Sequence, residues 1–351
     1  VTTIAEVLKN NGYRTFYFNS GNPHISDKFN FLQGIDYSFE SEKRAPAVLN
    51  HFRTQVPVMQ KERFFAYLHF MDVHLPYYKH EYNFSFTGEN RNNLLIPGYI
   101  KRLVVRTATA NDFLSVNDKE YLAALYDGQI KIIDQAVKSI MVMLAEKDMI
   151  DNTVIIITAD HGDEFWDHKN FEHGHILYNE LIHVPLIIMG NKLAPAEIER
   201  EASLVDLYPT ILEWAHISPG TLNIQGKSLL RSDRGEAHGK NEEQERSIFA
   251  SGSLYGEEKY CLIKKGMKLI FNSFGEFRPL IGWKSEEKYE LFCLSDDPVE
   301  QVNLRLRNPE AFLELKKELA KFISLSVEEG KSLSPGKDKE LKEKLKSLGY
   351  L

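Results

Sequence analysis

Two potential metal ligands, Asp160 and His161, stand just beyond Val154–Ile157, a short β-branched run of the kind that forms a strand buried on both faces. Gly162 permits a sharp turn after them. A carboxylate and an imidazole held at the end of a rigid strand can bind a divalent cation; the plainer alternative is a helix-capping Asp beside a turn His. The imidazole favours zinc or manganese, whereas neighbouring carboxylates suit calcium or magnesium. His173 and His175 alternate around Gly174, so in an extended segment both face the same way. Such a pair can grip an anionic group or protonate a leaving oxygen, or it can be incidental to a solvated loop. His74 follows Asp72 by two residues, beyond a second apolar run at Phe64–Phe70, and alone it reads as part of a turn. Asp163, Glu164 and Asp167 read first as a solvated acidic turn, with an outer role in orienting the site as the alternative. His69 reads as a core residue, and His51, His80, His216 and His238 as surface residues. Cys261 and Cys293 sit inside strand patterns without an activating neighbour and read as structural.

The elements that must position these residues alternate between helix and strand. Thr3 and Glu6 have capping-box spacing before a helical face of Ile4, Val7 and Leu8; Gly12 stops that helix and Thr15–Phe18 forms a strand. A helical stretch over Ala47–Met59 precedes the strand at Phe64. Tyr82–Asn111 is polar, aromatic and irregular, a long surface excursion near the site entrance. Asn117 with Glu120 opens a long amphipathic helix whose apolar residues run from Leu122 to Leu144 and which leads into the strand at Thr153. Val184–Met189 returns to the same core, and Ser203–Ala215 is helical. Beyond about Gly235 the texture changes. Ser247–Ser251, Tyr260–Lys264, Lys268–Asn272 and Tyr289–Leu294 are short strands, with Lys265 and Gly266 in a hairpin turn, followed by a helix at Pro309–Ser324. This gives an α/β unit over 1–235, an α+β subdomain over 236–330, and a Lys-rich linker with a terminal helix over 331–351.

Composition excludes several classes. With 351 residues, 43% apolar and 26% charged, the chain is that of an ordinary globular protein. A net charge of −7 offers no basic excess for nucleic acid. Two cysteines exclude a disulfide framework, though not a single bridge. No apolar run reaches membrane-spanning length, and no signal peptide opens the chain, which leaves the compartment open. Oligomeric state is not legible.

Together the motifs resemble the sulfatase family of the alkaline-phosphatase-like superfamily, along nearly the whole chain. Thr3–Thr15 resembles the family's helix and strand downstream of its nucleophile, and Asn22, Pro23 and His24 the loop that follows. Leu68–Tyr77 is similar to the family's Asp-Pro-His-x-Pro-Tyr turn, with Val73 in place of proline. Leu125–Ile130, Asp160–Glu164, Tyr178–Ile188 and Leu204–Thr210 resemble the helix, metal and core segments. Tyr289–Phe292, Asp297–Leu304 and Leu345–Leu351 resemble the family's carboxyl-terminal ending. The resemblance implies an alkaline-phosphatase-like α/β fold: a mostly parallel sheet flanked by helices, with a small antiparallel-sheet-plus-helix subdomain. It implies that Asp160 and His161 bind a metal, usually calcium, that His74 contacts the sulfate or its leaving oxygen, and that His173, His175 or both stand at the basic substrate-binding position, with His175 the second candidate acid. His24 resembles, more distantly, another basic residue near the sulfate.

The departure from the family pattern is at the nucleophile. Sulfatases carry a Cys- or Ser-x-Pro-x-Arg motif whose first residue becomes formylglycine, and no such motif occurs in the 351 residues. The resemblance implies that about 100 residues are missing at the amino end, judged partly from ordinary domain size. With them would go a central strand, leaving an uncovered sheet edge, and about half of the metal's ligands. The expectation is thus a sulfate-ester hydrolase, inactive in the chain as given, acting when complete on a small-molecule or saccharide sulfate. The rivals are phosphoryl chemistry on the same fold (a phosphodiesterase, phosphonate hydrolase or phosphoglycerol-type transferase) and a catalytically inactive remnant or binding protein.

Overall fold

Helix α1 (Ile4–Asn10) begins with the expected capping box: the Thr3 hydroxyl accepts the Glu6 amide and Glu6 accepts the Thr3 amide. Gly12, at φ 80°, turns the chain into β1 (Arg14–Asn19), whose residues beyond Arg14 are all buried. That burial follows from its central place in a parallel sheet with β2 (Tyr37–Glu40) on one side and β3 (Phe64–His69) on the other. The register pairs Phe18 with Leu68 and Asn19 with His69, so the carboxyl ends of β1 and β3 lie side by side. Phe16 and Phe18 on one sheet face pack with Val48, Phe52, Val56 and Met59 of α2 (Arg44–Met59) and with Met143 and Leu144 of α3 (Val116–Ala145). The structure, a computed structural model, describes residues 2–41, 44–77, 115–190, 193–197, 200–230, 246–252, 258–272 and 287–330. The 82–111 excursion, His80, His238, the 235/236 boundary and the 331–351 tail lie outside the described residues.

The cap of helix α3 lies two residues before the expected Asn117. Ser115, not Asn117, is the cap: its hydroxyl accepts the Asp118 amide, and Asp118 accepts from Ser115 in return. The helix delivers the chain to β4 (Ile155–Thr158), which pairs antiparallel with β7 (Leu186–Met189), Ile156 opposite Ile188. Ile155 packs onto the core beneath β1. Among the described residues β3 and β4 are not hydrogen-bonded to each other, so the parallel trio and the antiparallel pair are separate sheets. Between β4 and β7 lie a two-residue-per-strand hairpin, β5 (Glu164–Phe165) with β6 (Phe171–Glu172), and a single helical turn, α4 (Asn179–Ile182).

The next helix opens with a 3-10 turn at Leu204–Asp206 and continues as α5 (Leu207–Trp214), with Pro209 in its first turn where a missing amide costs nothing. Beyond it, β8 (Ile248–Gly252), β9 (Lys259–Lys264), β10 (Met267–Asn272) and β11 (Tyr289–Cys293) form one antiparallel sheet in the order β11-β10-β9-β8. Lys265 and Gly266 both have positive φ, the geometry of a two-residue hairpin matched to strand twist. Alternation sorts the sheet's two faces. Leu262, Leu269 and Leu291 take Leu315 and Leu319 of α6 (Pro309–Gly330), whereas Cys261, Ile270 and Phe292 pack on Ile176, Leu177, Tyr178 and Leu181. The second contact sets this sheet directly against the segment that follows His175. Cys261 is buried and Cys293 half-buried, and both are free thiols; burial pushes the Cys261 thiol up to about 12, fitting a structural role.

Candidate active site

The site is built where β3 and β4 end. Asp160 is exposed, its side chain 64% accessible, with one carboxylate oxygen 3.9 Å from His161 Nε2. Its charge acts on both Tyr67 and His69, which places the end of β4 beside the end of β3. Gly162 is required by packing: a Cβ there would stand 2.0 Å from the Glu180 carbonyl oxygen, and its amide donates to Leu181 O at 2.8 Å. The His161–Asp163 turn is therefore pressed against α4.

Asp163 turns inward. It accepts from His173 Nδ1 at 2.7 Å and from the Tyr77 hydroxyl at 3.2 Å. Burial pushes the Asp163 carboxyl up, but the His173 hydrogen bond and the surrounding histidines outweigh it and hold the group below its usual value. The rings of His161 and His173 are 4.0 Å apart, and His74 meets His173 edge-on at 5.2 Å. Donor atoms of His161, Asp163 and His173 all lie within 4.8 Å of one another, a set that could hold a metal ion. His74 donates through Nδ1 to Leu75 O at 2.6 Å, leaving Nε2 as its second functional atom. Burial lowers the His74 pKa, and neighbouring His173 and His161 lower it further. Asp72 is a fastener: buried at the start of the same turn, it accepts the Ala45 amide at the start of α2.

The acidic turn is not solvated. Glu164 is wholly buried and accepts three hydrogen bonds: His168 N at 2.8 Å, Asn170 N at 2.7 Å and His175 Nε2 at 2.8 Å. His173 and His175 accordingly engage different carboxylates, Asp163 and Glu164, instead of sharing one outlook. The reason is backbone conformation, since Glu172 at φ 77° and Gly174 at φ 90° interrupt the extended path that alternation assumes. Glu172 was not legible as a site residue, yet burial, aided by Asp163, pushes its carboxyl up to about 8. Asp167 caps the hairpin by accepting the Phe165 amide. His24 lies in the turn beyond β1 with its ring 5.9 Å from Phe29, and it is not part of the His161–Asp163–His173 group. His69 is half-buried at the end of β3, where its Nε2 is 3.2 Å from Asn22 Nδ2, so it borders the site and is not a pure core residue.

Imidazoles and carboxylates gathered beyond the strand ends of an α/β sheet stand where such folds bind ligands, and their donor atoms suit a divalent cation. The sulfatase family model matches residues 1–217, and the chain belongs to that family. Among its relatives, bovine (Bos taurus) arylsulfatase K is 29% identical over 211 residues, covering 58% of this chain and 37% of the relative. The human (Homo sapiens) arylsulfatase K is 24% identical over 377 residues, covering 92% of this chain and 68% of the relative. The chain thus spans little more than a third of the bovine relative it matches. Two solved structures share the alkaline-phosphatase-like α/β fold. BT4656, in complex with its substrate D-glucosamine-2-N,6-O-disulfate, superposes with a TM-score of 0.63 at 15% identity, over 95% of this chain and 83% of that one. The phosphonate monoester hydrolase of Agrobacterium radiobacter superposes with a TM-score of 0.68 at 16% identity, over 92% and 80%.

Proposed function

We propose that this site serves the hydrolysis of a sulfate ester, on a small molecule or a saccharide. The observation that carries the reading is the meeting of His74, His161, Asp163 and His173 beyond β3 and β4 in a chain of the sulfatase family. The donor chemistry fits a divalent cation, with His161, Asp163 and the adjacent Asp160 as the residues to hold it. When bound, such a cation supplies charge compensation for the sulfate oxygens and the attacking group. Calcium is the metal the resemblance implies; imidazole nitrogen beside carboxylate oxygen suits manganese or zinc as well or better.

His173, its Nδ1 committed to Asp163, offers Nε2 to an anionic group. His74 is the proton donor to the leaving oxygen: an anion brought beside it favours its protonated form, and Nε2–H then serves as the acid. His175, tied to buried Glu164, is assigned to holding the loop and not to acid catalysis. His24 stays a secondary substrate contact through its place at the end of β1. The 351 residues contain no Cys- or Ser-x-Pro-x-Arg sequence, so their roles are binding, charge compensation and proton transfer, and the chain by itself is proposed to lack turnover.

Calorimetric titration of the chain with 4-nitrophenyl sulfate in the presence of Mn²⁺ tests the reading. His173→Ala is expected to weaken binding about tenfold, the worth of one charge-assisted hydrogen bond. Turnover is measured on the natural full-length protein with 4-nitrophenyl sulfate and a nitrophenyl phosphate diester side by side. Activity confined to the phosphate diester would overturn the sulfate assignment and favour the phosphoryl rival.

A further inference from the structure

The Asp297–Leu304 segment resembles a family ending, but nothing in the sulfate chemistry uses it. In the structure its Glu300 is a wholly buried carboxylate facing a wholly buried ammonium, Lys268 on β10, at 2.7 Å. Lys268 stands on the same face of the C-terminal sheet as Ile270, the face packed against residues 176–181. Two further contacts of Glu300, and one of Lys268, reach the loop that carries the site. The second carboxylate oxygen of Glu300 accepts the Asn179 amide at 2.6 Å, and its carbonyl oxygen is 3.1 Å from His168 Nε2. Lys268 Nζ also donates to Asn179 Oδ1 at 3.1 Å.

His168 and Asn179 bracket His173 and His175 in sequence, so one residue from the far end of the chain holds the loop on both sides. The hold continues into the metal-ligand turn. Asn179 opens α4, whose Leu181 carbonyl accepts the Gly162 amide between His161 and Asp163. A left-handed backbone at Glu300 (φ 55°), closed by its amide donating to Asp297 O at 3.1 Å, turns its carbonyl toward His168 while the carboxylate faces Asn179. A buried ion pair is weak support for stability by comparison with apolar packing, so its presence here calls for a positional reason.

We propose that Glu300, fixed by Lys268, is a positioning residue for the candidate active site, locking the Asp160–Ile182 loop from the C-terminal sheet. The assignment rests on reading that loop as the substrate-gripping side of the centre. It makes the C-terminal sheet a working part of the site, not an appendage.

The test compares two charge-neutral double variants of the full chain, so that neither strands a buried charge. In Lys268→Met with Glu300→Gln, the glutamine carbonyl can still accept the Asn179 amide; in Lys268→Met with Glu300→Leu it cannot. Hydrogen exchange is read at Gly162 and over residues 179–183, with strands β1–β3 as the internal reference. The leucine variant is expected to exchange about tenfold faster in the loop, the loss of one hydrogen bond to a charged acceptor, with the reference strands unchanged. The His74 and His173 imidazole resonances should move with it. The glutamine variant is expected to stay within about twofold of wild type on both readouts. Uniform acceleration across the chain would reduce the pair to a general stability element and overturn the proposal, as would no change in the leucine variant. Neither measurement needs turnover or sulfate binding, so failure of the sulfate reading is detected separately by the calorimetric titration.

Discussion

Two adjacent carboxylates decide what two nearby histidines do. Asp163 takes His173 into the cluster with His74 and His161, while Glu164 takes His175 out of it. Glu164 is the stricter of the two, because its three partners include two amides of the loop it closes. Glu164→Ala is therefore expected to destabilise the protein by about 3 kcal/mol or more, as buried donors are left without an acceptor. Glu164→Gln should cost about half of that, since one amide oxygen still accepts. Urea unfolding monitored by circular dichroism measures both, and equal costs would show that the carboxylate's charge and geometry do not matter here.

At the scale of elements, α4 and the C-terminal sheet are the backing against which the β5–β6 hairpin is set. His168 joins them, with Nδ1 2.6 Å from Glu180 Oε1, Nε2 3.1 Å from Glu300 O, and its ring stacked 3.7 Å over Tyr178. Acceptors at both nitrogens suit the imidazolium. Burial acts against that charge, but the hydrogen bonds to Glu180 and Glu300 and the nearby Glu180 and Glu164 charges outweigh it, so the pKa is raised above the ordinary 6.5. A raised folded-state pKa means a stabilisation fully present below the unfolded value and lost as pH rises through the folded value. The protein is thus expected to lose stability as pH climbs from 6.5 through that raised value. His168→Gln should flatten the dependence, read as melting temperature against pH. An unchanged profile in that variant would remove His168 as its source.

For the whole molecule, the ends of β3 and β4 meet at the His161–Asp163–His173 cluster, and the C-terminal sheet backs the 176–181 segment of the loop that carries it. Binding to the folded state alone stabilises it by about 2.7 kcal/mol at a hundredfold excess over Kd. Manganese is expected to raise the melting temperature more than calcium does, because the cation would meet the His161 imidazole nitrogen beside the Asp163 and Asp160 carboxylates. Asp163→Asn should remove most of the gain, and EDTA should reverse it in the wild type. A larger shift with calcium would point instead to an oxygen-rich site centred on Asp160.

Much of this protein was legible from residue pattern alone. Apolar runs at Thr15–Phe18, Phe64–Phe70 and Val154–Ile157, the capping box at Thr3, and the Lys265–Gly266 turn are local features, set by side-chain sterics and hydrogen bonding within a few residues. The placement of His74, Asp160, His161 and His173 beyond strand ends was legible for the same reason. The helix start at Ser115 was missed because Asn117 offered a competing cap of the same type. What only the tertiary structure decided were the partners of buried charges. Asp163 and Glu164 read as a solvated acidic turn because nothing local announces that His173 and His175 will fold back onto them through residues of positive φ. Nor does any local pattern pair Lys268 with Glu300 or set both against Asn179, across separations of 32 and 121 residues. A charge removed from water must find its counterpart wherever the chain brings one, and that choice belongs to the fold.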